Sequence, residues 1–147
     1  KKILNILQEE YKITYKELSE MIGLAQSTIH NRIQKMLNAG IIHKEDTIVN
    51  PYKAGFKTIA LVGLTVNATK MDDVAKTIAS YDEVQMVGTT TGDHDIVFRV
   101  IERDEKSLWR FINKKIKTID GVKSELDVSS FLDFYKLTRK IHFKVEE

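Results

Sequence analysis

The hydrophobic pattern of this chain changes at Pro51, the only proline among its 147 residues. Apolar side chains recur at helical spacing before Pro51, whereas the alternating apolar segments typical of strands appear after it. Such a change favours two domains of different class over one continuous core. The pattern predicts a first domain at residues 1–50, a hinge at 51–57 and a second domain at 58–147.

The first domain has the pattern of three short helices. Apolar residues on one face predict a helix around 3–7, and the TYKE segment at 14–17 has the capping-box spacing that begins a second. Gly23 interrupts that pattern, and a third helix follows it. Gly40 then stands where a left-handed C-terminal cap is expected. The tight turn between the last two helices predicts a helix-turn-helix.

Two apolar pairs after the third helix flank a polar segment at 43–47. Ile41 and Ile42 on one side, and Ile48 and Val49 on the other, can pair as a short hairpin. The first domain is therefore predicted to be a winged helix-turn-helix, with this hairpin as its wing.

The second domain alternates strand and helix patterns in the order βαββαβ. The predicted elements are a strand at 58–66, a helix at 71–81, strands at 84–90 and 95–101, a helix at 105–119 and a strand at 122–134. Thr69 and Asp104 are the predicted N-caps of the two helices. This order predicts a ferredoxin-like sandwich, in which two helices cover one face of a four-stranded antiparallel sheet. The fold class of the whole chain is therefore α+β.

The first predicted strand is apolar on both faces. Its two alternating sets are Ile59, Leu61 and Gly63 on one side, and Ala60, Val62, Leu64 and Val66 on the other. An antiparallel sheet with one face in water should alternate apolar with polar residues, so something must cover the second face. We expect a second copy of the chain there. The alternative is that the wing or the C-terminal tail folds over it.

The third helix carries a polar face suited to DNA. Its outward and flanking residues are Ser27, Thr28, His30, Asn31, Arg32, Gln34, Lys35 and Asn38, opposite an apolar stripe of Ile29, Ile33, Met36 and Leu37. None of the outward residues is acidic, and Asn, Gln, Arg and Lys side chains supply the donors that a major-groove helix needs. A solvated helix face is the alternative, because polar residues opposite a core stripe are common.

The helix pattern also predicts how these residues divide between bases and phosphates. We assign Ser27, Thr28 and Asn31 to base edges, because the first half of such a helix enters the groove. Arg32 and Lys35 on the helix, and Lys44 on the wing, are assigned to phosphates. Gln26 and His30 complete the predicted DNA-binding set.

The loop sequence TTTGDHD, at 89–95, raises the question of catalysis. A catalytic interpretation would use Asp93 and Asp95 as acid and base with His94 as partner, but alternation turns His94 to the opposite side. The chain has no cysteine, and its four histidines lack a metal-ligand spacing. We therefore expect no enzyme, no metal and no cofactor, and interpret the segment as a turn or a ligand-binding loop.

Bulk properties restrict the partners further. The longest apolar run, around 59–66, is too short to span a bilayer, and no leader sequence is recognisable. We therefore expect a cytoplasmic protein without a membrane partner. A formal net charge of +2 does not by itself predict nucleic acid, so the DNA prediction depends on the helix face.

Three segments together resemble the Lrp/AsnC family of transcriptional regulators, also called feast/famine regulatory proteins. KELSEMIGLAQSTIHNRIQKMLNAGII is similar to the family's winged helix-turn-helix, NPYKAG to its hinge, and TTGDHDIVFRV to the loop and strand of its ligand domain. The resemblance implies a DNA-binding homodimer paired through its sheets, with dimers assembling into tetramers or octamers. It also implies that a free amino acid binds between ligand domains and alters assembly or DNA affinity.

The resemblance assigns the TTTGDHD loop to the effector site. The implied effector-binding residues there are Thr90, Thr91, Gly92, Asp93, His94 and Asp95. Gly92 would let the backbone approach the ligand, and Asp93 or Asp95 would accept a hydrogen bond from its α-ammonium group.

Two positions depart from the family pattern. Ala25 stands where members usually have a serine N-cap, and Asp127 stands near a threonine or serine that faces the ligand interface. By alternation, Leu126 and Val128 point into the core and Asp127 points away from it. An additional carboxylate favours a basic effector such as lysine or arginine over leucine, or marks a member without an effector.

The combined prediction is a sequence-specific DNA-binding transcriptional regulator whose assembly or DNA affinity responds to a free amino acid. The alternative is an amino-acid-sensing oligomeric module that acts on a partner protein without binding DNA. The helix-turn-helix pattern argues against the alternative, because residues 1–42 would have no function in a module that does not bind DNA.

Overall fold

The computed structural model describes residues 1–10, 12–43 and 49–145. The chain divides into two compact units, Lys1–Thr47 together with Lys136–Glu147, and Ile48–Tyr135. The sequence predicted a second domain at residues 58–147, whereas the structure groups Lys136–Glu147 with the first unit. The physical reason is a set of hydrogen bonds between the first helix and the C-terminal segment, which a local sequence pattern does not reveal.

The first unit contains α1 (Lys2–Glu9), α2 (Tyr15–Ile22) and α3 (Gln26–Asn38). The predicted capping box at the start of α2 is confirmed, because Thr14 Oγ1 accepts from Glu17 N at 3.2 Å and Glu17 Oε2 accepts from Thr14 N at 2.8 Å. Gly23 ends α2 with a left-handed backbone, φ 75°. The sharp turn that glycine permits there sets α3 against α2.

The core of the first unit is small and comes from all three helices. Ile3 of α1, Leu18 of α2, and Ile29 and Ile33 of α3 are its buried members. The predicted wing and the phosphate contact predicted for Lys44 involve residues 44–48, which lie outside the described residues.

The second unit has the predicted βαββαβ order. Its elements are β1 (Thr58–Val66), α4 (Met71–Ala79), β2 (Val84–Thr89), β3 (Ile96–Glu102), α5 (Glu105–Phe111) and β4 (Val122–Ser130). The strands lie in the order β2-β3-β1-β4, and every neighbouring pair is antiparallel. The α+β fold predicted from the sequence, a helix-turn-helix followed by a ferredoxin-like sandwich, is confirmed.

Of the two predicted N-caps in the second unit, one caps its helix and the other does not. Asp104 caps α5, since its Oδ1 accepts from Ser107 N at 2.7 Å. The Thr69 prediction is wrong, because a 3₁₀ turn at Ala68–Lys70 precedes α4 and includes this residue. Beyond α5 the chain continues as a π-helix, Ile112–Ile116, where a longer regular helix was expected.

The two faces of the sheet have different covers. One face packs against the helices, with Val62, Leu64 and Phe98 fully buried in the core. The opposite face, which carries Ile59, Gly63 and Arg99, is called the open face below. Ile59 is nevertheless fully buried there. Phe131 and Phe134, which follow β4, cover part of this face. A cover by the chain's own C-terminal residues was the alternative expectation.

That cover explains why β4 is shorter than predicted. Phe131 N still donates to Ile59 O at 2.8 Å, but β4 ends at Ser130 rather than at residue 134. The rings of Phe131 and Phe134 stack with centroids 4.6 Å apart, and Phe134 lies 5.9 Å from the guanidinium carbon of Arg99 in β3. The segment after β4 therefore leaves the sheet edge and folds over its open face. Among the described residues, no helix is long and apolar enough to cross a membrane.

Candidate DNA-binding and effector sites

The α3 helix presents its polar face to solvent. Six of the eight predicted DNA-binding residues are exposed on this helix and Thr28 is half-buried; the exposed ones are Gln26, Ser27, His30, Asn31, Arg32 and Lys35. Ile29 and Ile33 bury the opposite face in the core, so the helix cannot rotate its polar side inward without exposing them. The α3 sequence contains no carboxylate that would repel a phosphate backbone.

The N-terminus of α3 is also open to an acceptor from outside. Ala25 precedes the helix with an extended backbone, φ −60° and ψ 144°, and no side chain in the described part of the chain caps its first turn. The first N–H groups of a helix need acceptors and carry partial positive charge, which suits a phosphate oxygen. The departure noted at Ala25 therefore leaves the first N–H groups of α3 without a side-chain cap among the described residues.

His30 has a protein partner that sequence reasoning missed. Its imidazole meets the ring of Tyr15 edge to face, with centroids 5.2 Å apart and planes at 78°. Tyr15 is the first residue of α2. This contact holds the His30 ring at the side of the α3 face that adjoins the start of α2.

The TTTGDHD loop connects β2 to β3 and is tied to β1. Asp95 Oδ2 accepts from Val66 N at 2.9 Å, and Asp95 N donates to Leu64 O at 2.9 Å. Thr90 N donates to Asp95 O at 3.0 Å, and the Thr90 hydroxyl donates to His94 O. Asp95 and Thr90 therefore hold the loop in place.

The tip of the loop is open. Thr91, Gly92 and Asp93 are all exposed. Of the two carboxylates predicted to receive an ammonium group, Asp93 is the one that faces solvent, while Asp95 serves the backbone of β1.

His94 folds back from the loop onto the open face of the sheet. Its Nε2 lies 3.1 Å from Oδ2 of Asp127 in β4. The ring rests on Gly63 of β1, where a Cβ would lie only 2.2 Å from His94 Cδ2. Gly63 is the register partner of Asp127 across β1 and β4, so the three residues form one cluster on this face.

Asp127 has the orientation that alternation predicted. Leu126 and Val128 pack against the core, while the Asp127 side chain is 77% exposed on the other face. The sequence did not reveal that His94 would meet it. A glycine inside an apolar strand pattern was the available signal, because glycine there often marks a close approach by another group.

Two grooves, each of about 390 Å³, lie elsewhere on the second unit. One lies between α4 and the π-helix, where Lys115 Nζ approaches Glu83 Oε1 at 2.6 Å and stands 5.0 Å from the Tyr81 ring centre. The hydrogen bond to Glu83 raises the pKa of Lys115. The other groove lies beside Phe56 and Glu102, and burial raises the pKa of the Glu102 carboxyl. Neither groove includes a residue of the TTTGDHD loop.

Two protein families match the chain in consecutive segments. Residues 1–43 match the winged helix-turn-helix DNA-binding family, and residues 59–140 match the Lrp/AsnC ligand binding domain. The chain is 37% identical over 124 residues to an HTH-type transcriptional regulator of Pyrococcus furiosus, covering 84% of each protein. It is 38% identical over 122 residues to another from Pyrococcus abyssi, covering 83% of this chain and 80% of that one.

Solved structures agree with these matches. E. coli AsnC superposes with a TM-score of 0.87 at 30% identity, over 95% of this chain and 93% of that one. A Neisseria meningitidis regulator in complex with L-Met, 24% identical, has the same fold with a TM-score of 0.86 over 95% and 92% of the chains. The chain therefore belongs to the Lrp/AsnC family, whose members are transcriptional regulators with a helix-turn-helix segment and a ligand-binding domain.

Proposed function

We propose that the protein regulates transcription by placing α3 in the major groove of its operator. The observation that carries this proposal is an exposed helix face of polar and basic side chains without a carboxylate, held outward by buried Ile29 and Ile33. Ser27, Thr28 and Asn31 contact base edges, while Arg32 and Lys35 contact phosphates. Gln26 and His30 border that surface, and Lys44 adds a phosphate contact from the predicted wing.

Fluorescence anisotropy with DNA from upstream of the protein's own gene tests this assignment at several salt concentrations. Lys35→Ala should weaken binding to all sequences and reduce the slope of log K against log salt by about 1. Asn31→Ala should weaken specific binding by about 1–3 kcal/mol and relax the base preference. Lys106→Ala, which removes an exposed lysine from α5, is the matched control. An equal loss in the control would show that only overall charge matters.

We infer that the effector is a free amino acid that binds at the open tip of the TTTGDHD loop. Two structural neighbours, from N. meningitidis and M. tuberculosis, hold L-methionine, which supports this ligand class. Asp93 accepts from the α-ammonium group, and exposed Thr91 and Gly92 allow the ligand to approach. Asp95, Thr90 and His94 shape the loop around it, and Asp127 selects the ligand's side chain.

The His94–Asp127 pair supports a basic effector. Asp127 is exposed, and its ion-pair partner within the described chain is the His94 ring. An ammonium or guanidinium group carries a permanent charge at neutral pH and competes favourably with an imidazole for one carboxylate. A lysine or arginine side chain therefore replaces His94 at Asp127 when the ligand binds.

Calorimetric titration with lysine, arginine, methionine and leucine tests this selectivity. Asp127→Asn should lower the affinity for the basic amino acids while leaving that for leucine and methionine unchanged. Glu125→Gln is the matched control, because Glu125 is also exposed and lies two residues away on the same face of β4. An unchanged lysine and arginine titration of Asp127→Asn would contradict the assignment.

We propose that the chain forms a homodimer through the open face of its sheet, and that dimers assemble further into tetramers or octamers. Met86 is 49% exposed on this face. A second copy would cover this exposed apolar side chain. Sedimentation should show dissociation for Met86→Asp. The control Trp109→Asp, at a residue 47% exposed on α5, should leave the assembly unchanged.

The same experiments separate the regulator from the alternative function. We propose that the protein has no catalytic activity and needs no metal or cofactor, since the relatives that match it are named transcriptional regulators. We also propose that it acts in the cytoplasm, together with its DNA partner. Amino-acid binding without selective DNA binding under any condition would instead favour a sensing module that acts on a partner protein.

A further inference from the structure

The C-terminal segment of the chain is attached to α1 by paired side-chain amides. Asn5 Nδ2 donates to Phe143 O at 2.9 Å, and Phe143 N donates to Asn5 Oδ1 at 3.2 Å. Gln8 Nε2 donates to Ile141 O at 2.9 Å, and Ile141 N donates to Gln8 Oε1 at 2.7 Å. Lys140 Nζ adds an ion pair with Glu9 at 2.8 Å.

The geometry of these contacts is that of a backbone-binding surface. Asn5 and Gln8 are three positions apart and therefore share one face of α1. Ile141 and Phe143 are alternate residues, whose N–H and C=O groups point to the same side of an extended segment. Each amide satisfies both backbone groups of one residue, so these four hydrogen bonds do not depend on the identity of the tail side chains.

The α1 helix shares one core with α3. It has no basic residue in its last turn to stabilise its C-terminal carbonyl groups. Its packed face buries Ile3 against Leu18, Ile29 and Ile33, and the last two residues belong to α3. Whatever holds α1 therefore also supports the helix proposed to contact DNA.

We propose that residues 140–143 form a clamp, which binds α1 through Asn5 and Gln8 and is an integral part of the DNA-binding unit. The occupant of the surface is the chain's own C-terminal segment. Loss of the clamp destabilises α1. Because α1 and α3 share a core, it also destabilises the packing of α3. DNA affinity then falls even though no DNA-contacting residue has changed.

Hydrogen exchange measured along the whole chain tests the clamp directly. In Asn5→Ala/Gln8→Ala, the α1 amides should exchange about tenfold faster, because the helix loses four hydrogen bonds to the tail. The amides of α4 and α5 should exchange as before. Unchanged protection of α1 would overturn the proposal.

Two proline variants of the tail provide a matched pair. Ile141→Pro removes the N–H that donates to Gln8, whereas His142→Pro removes an N–H for which the described chain provides no acceptor. Only Ile141→Pro should accelerate exchange in α1. Equal effects of the two prolines would show that the paired amides do not hold the tail.

A double-mutant cycle separates clamp loss from unrelated damage. Truncation after Leu137 and the Asn5→Ala/Gln8→Ala change should each accelerate α1 exchange, and their combination should be no worse than either alone. Additive effects would mean that tail and amides act independently, contrary to the proposal. DNA affinity should also fall about five- to tenfold for each variant, but this measurement rests on the proposed function. Hydrogen exchange of α1 does not depend on the proposed function. Failure of DNA binding and failure of the clamp are therefore distinguishable.

Cross-linking shows whether the tail bound to α1 belongs to the same chain or to a second copy. Two cysteines can be introduced for this purpose without competing thiols, because the sequence has none. Glu9→Cys/Lys140→Cys places two thiols at the ion-paired positions, and a short bis-maleimide reagent joins them. A product of single-chain mass on a denaturing gel supports the chain's own tail as the occupant. A product of two-chain mass would overturn that assignment in favour of a second copy.

Discussion

At Gly63 a hydrogen stands where any other residue would place a Cβ 2.2 Å from Cδ2 of His94. Gly63→Ala should therefore push the imidazole off β1 and break its contact with Asp127. We expect a destabilisation of about 1–3 kcal/mol from overpacking, measured by urea unfolding of the second unit. The same variant should change the affinity for amino acids measured by calorimetric titration, because the displaced His94 ring no longer contacts Asp127.

Gly88 offers a matched control for this prediction. It lies in β2, and a Cβ built there meets no atom within 4 Å. Gly88→Ala should therefore unfold at nearly the same urea concentration as the native protein. Removing the ring should also relieve the clash, so Gly63→Ala/His94→Ala should be no less stable than His94→Ala. Equal destabilisation at both glycines would contradict the steric argument.

Two neighbouring aspartates of the loop should have separable roles. Asp95 Oδ2 accepts from the part-buried Val66 N, so Asp95→Ala should lower the free energy of unfolding by about 1–3 kcal/mol. Asp93→Ala, at an exposed carboxylate two residues away, should leave that free energy unchanged and lower amino-acid affinity instead. Thermal unfolding and calorimetric titration of the two variants check the prediction. Loss of stability in Asp93→Ala would mean that both carboxylates hold the loop.

Among the elements, α2 has the most completely formed N-terminus. The Thr14 hydroxyl donates to Glu17 Oε2 at 2.7 Å, and this hydrogen bond, with one from Thr14 N, lowers the pKa of Glu17 below its ordinary value of 4.5. Because the folded state binds the proton less tightly, this stabilisation is complete above pH 4.5 and is lost as the pH falls through the lowered value. The first unit should therefore lose stability in acid.

Variants at both ends of the capping box test this prediction. Thr14→Ala removes the cap and should destabilise the first unit by about 1 kcal/mol at neutral pH. Glu17→Gln keeps a side chain that can still bond to Thr14 but cannot titrate, so its unfolding midpoint should depend less on pH below 4.5. Circular dichroism melts across this pH range give the comparison. An identical acid dependence in native protein and Glu17→Gln would exclude this carboxyl as the cause.

At the scale of the whole molecule, each unit has its own core. Denaturation should therefore show two transitions. Leu18→Ala should shift only the first unit's transition and Phe98→Ala only the second unit's, by about 2–5 kcal/mol each, since both residues are fully buried. DNA should raise the first transition, and a bound amino acid the second. A single transition that every variant shifts would contradict independent units.

The element pattern of the second unit was readable from the sequence because its signals are local. Strand alternation, helical spacing and the Asp104 cap each depend on residues within a few positions, and all three are present in the structure. Several errors lie where distant contacts override local preference. The end of β4 is one example, because Phe131 and Phe134 leave the sheet edge to cover its open face near Arg99.

The sequence by itself determined the two domain types, the order of their elements and the polar face of α3, because periodicity, caps and turn residues act over short distances. Tertiary structure alone decided the partners of side chains that lie far apart in the sequence. Asp95 bonds to β1 across 29 positions, and Asn5 bonds to Phe143 across 138. Meetings between residues so far apart are set by how the elements pack, and no local pattern specifies them.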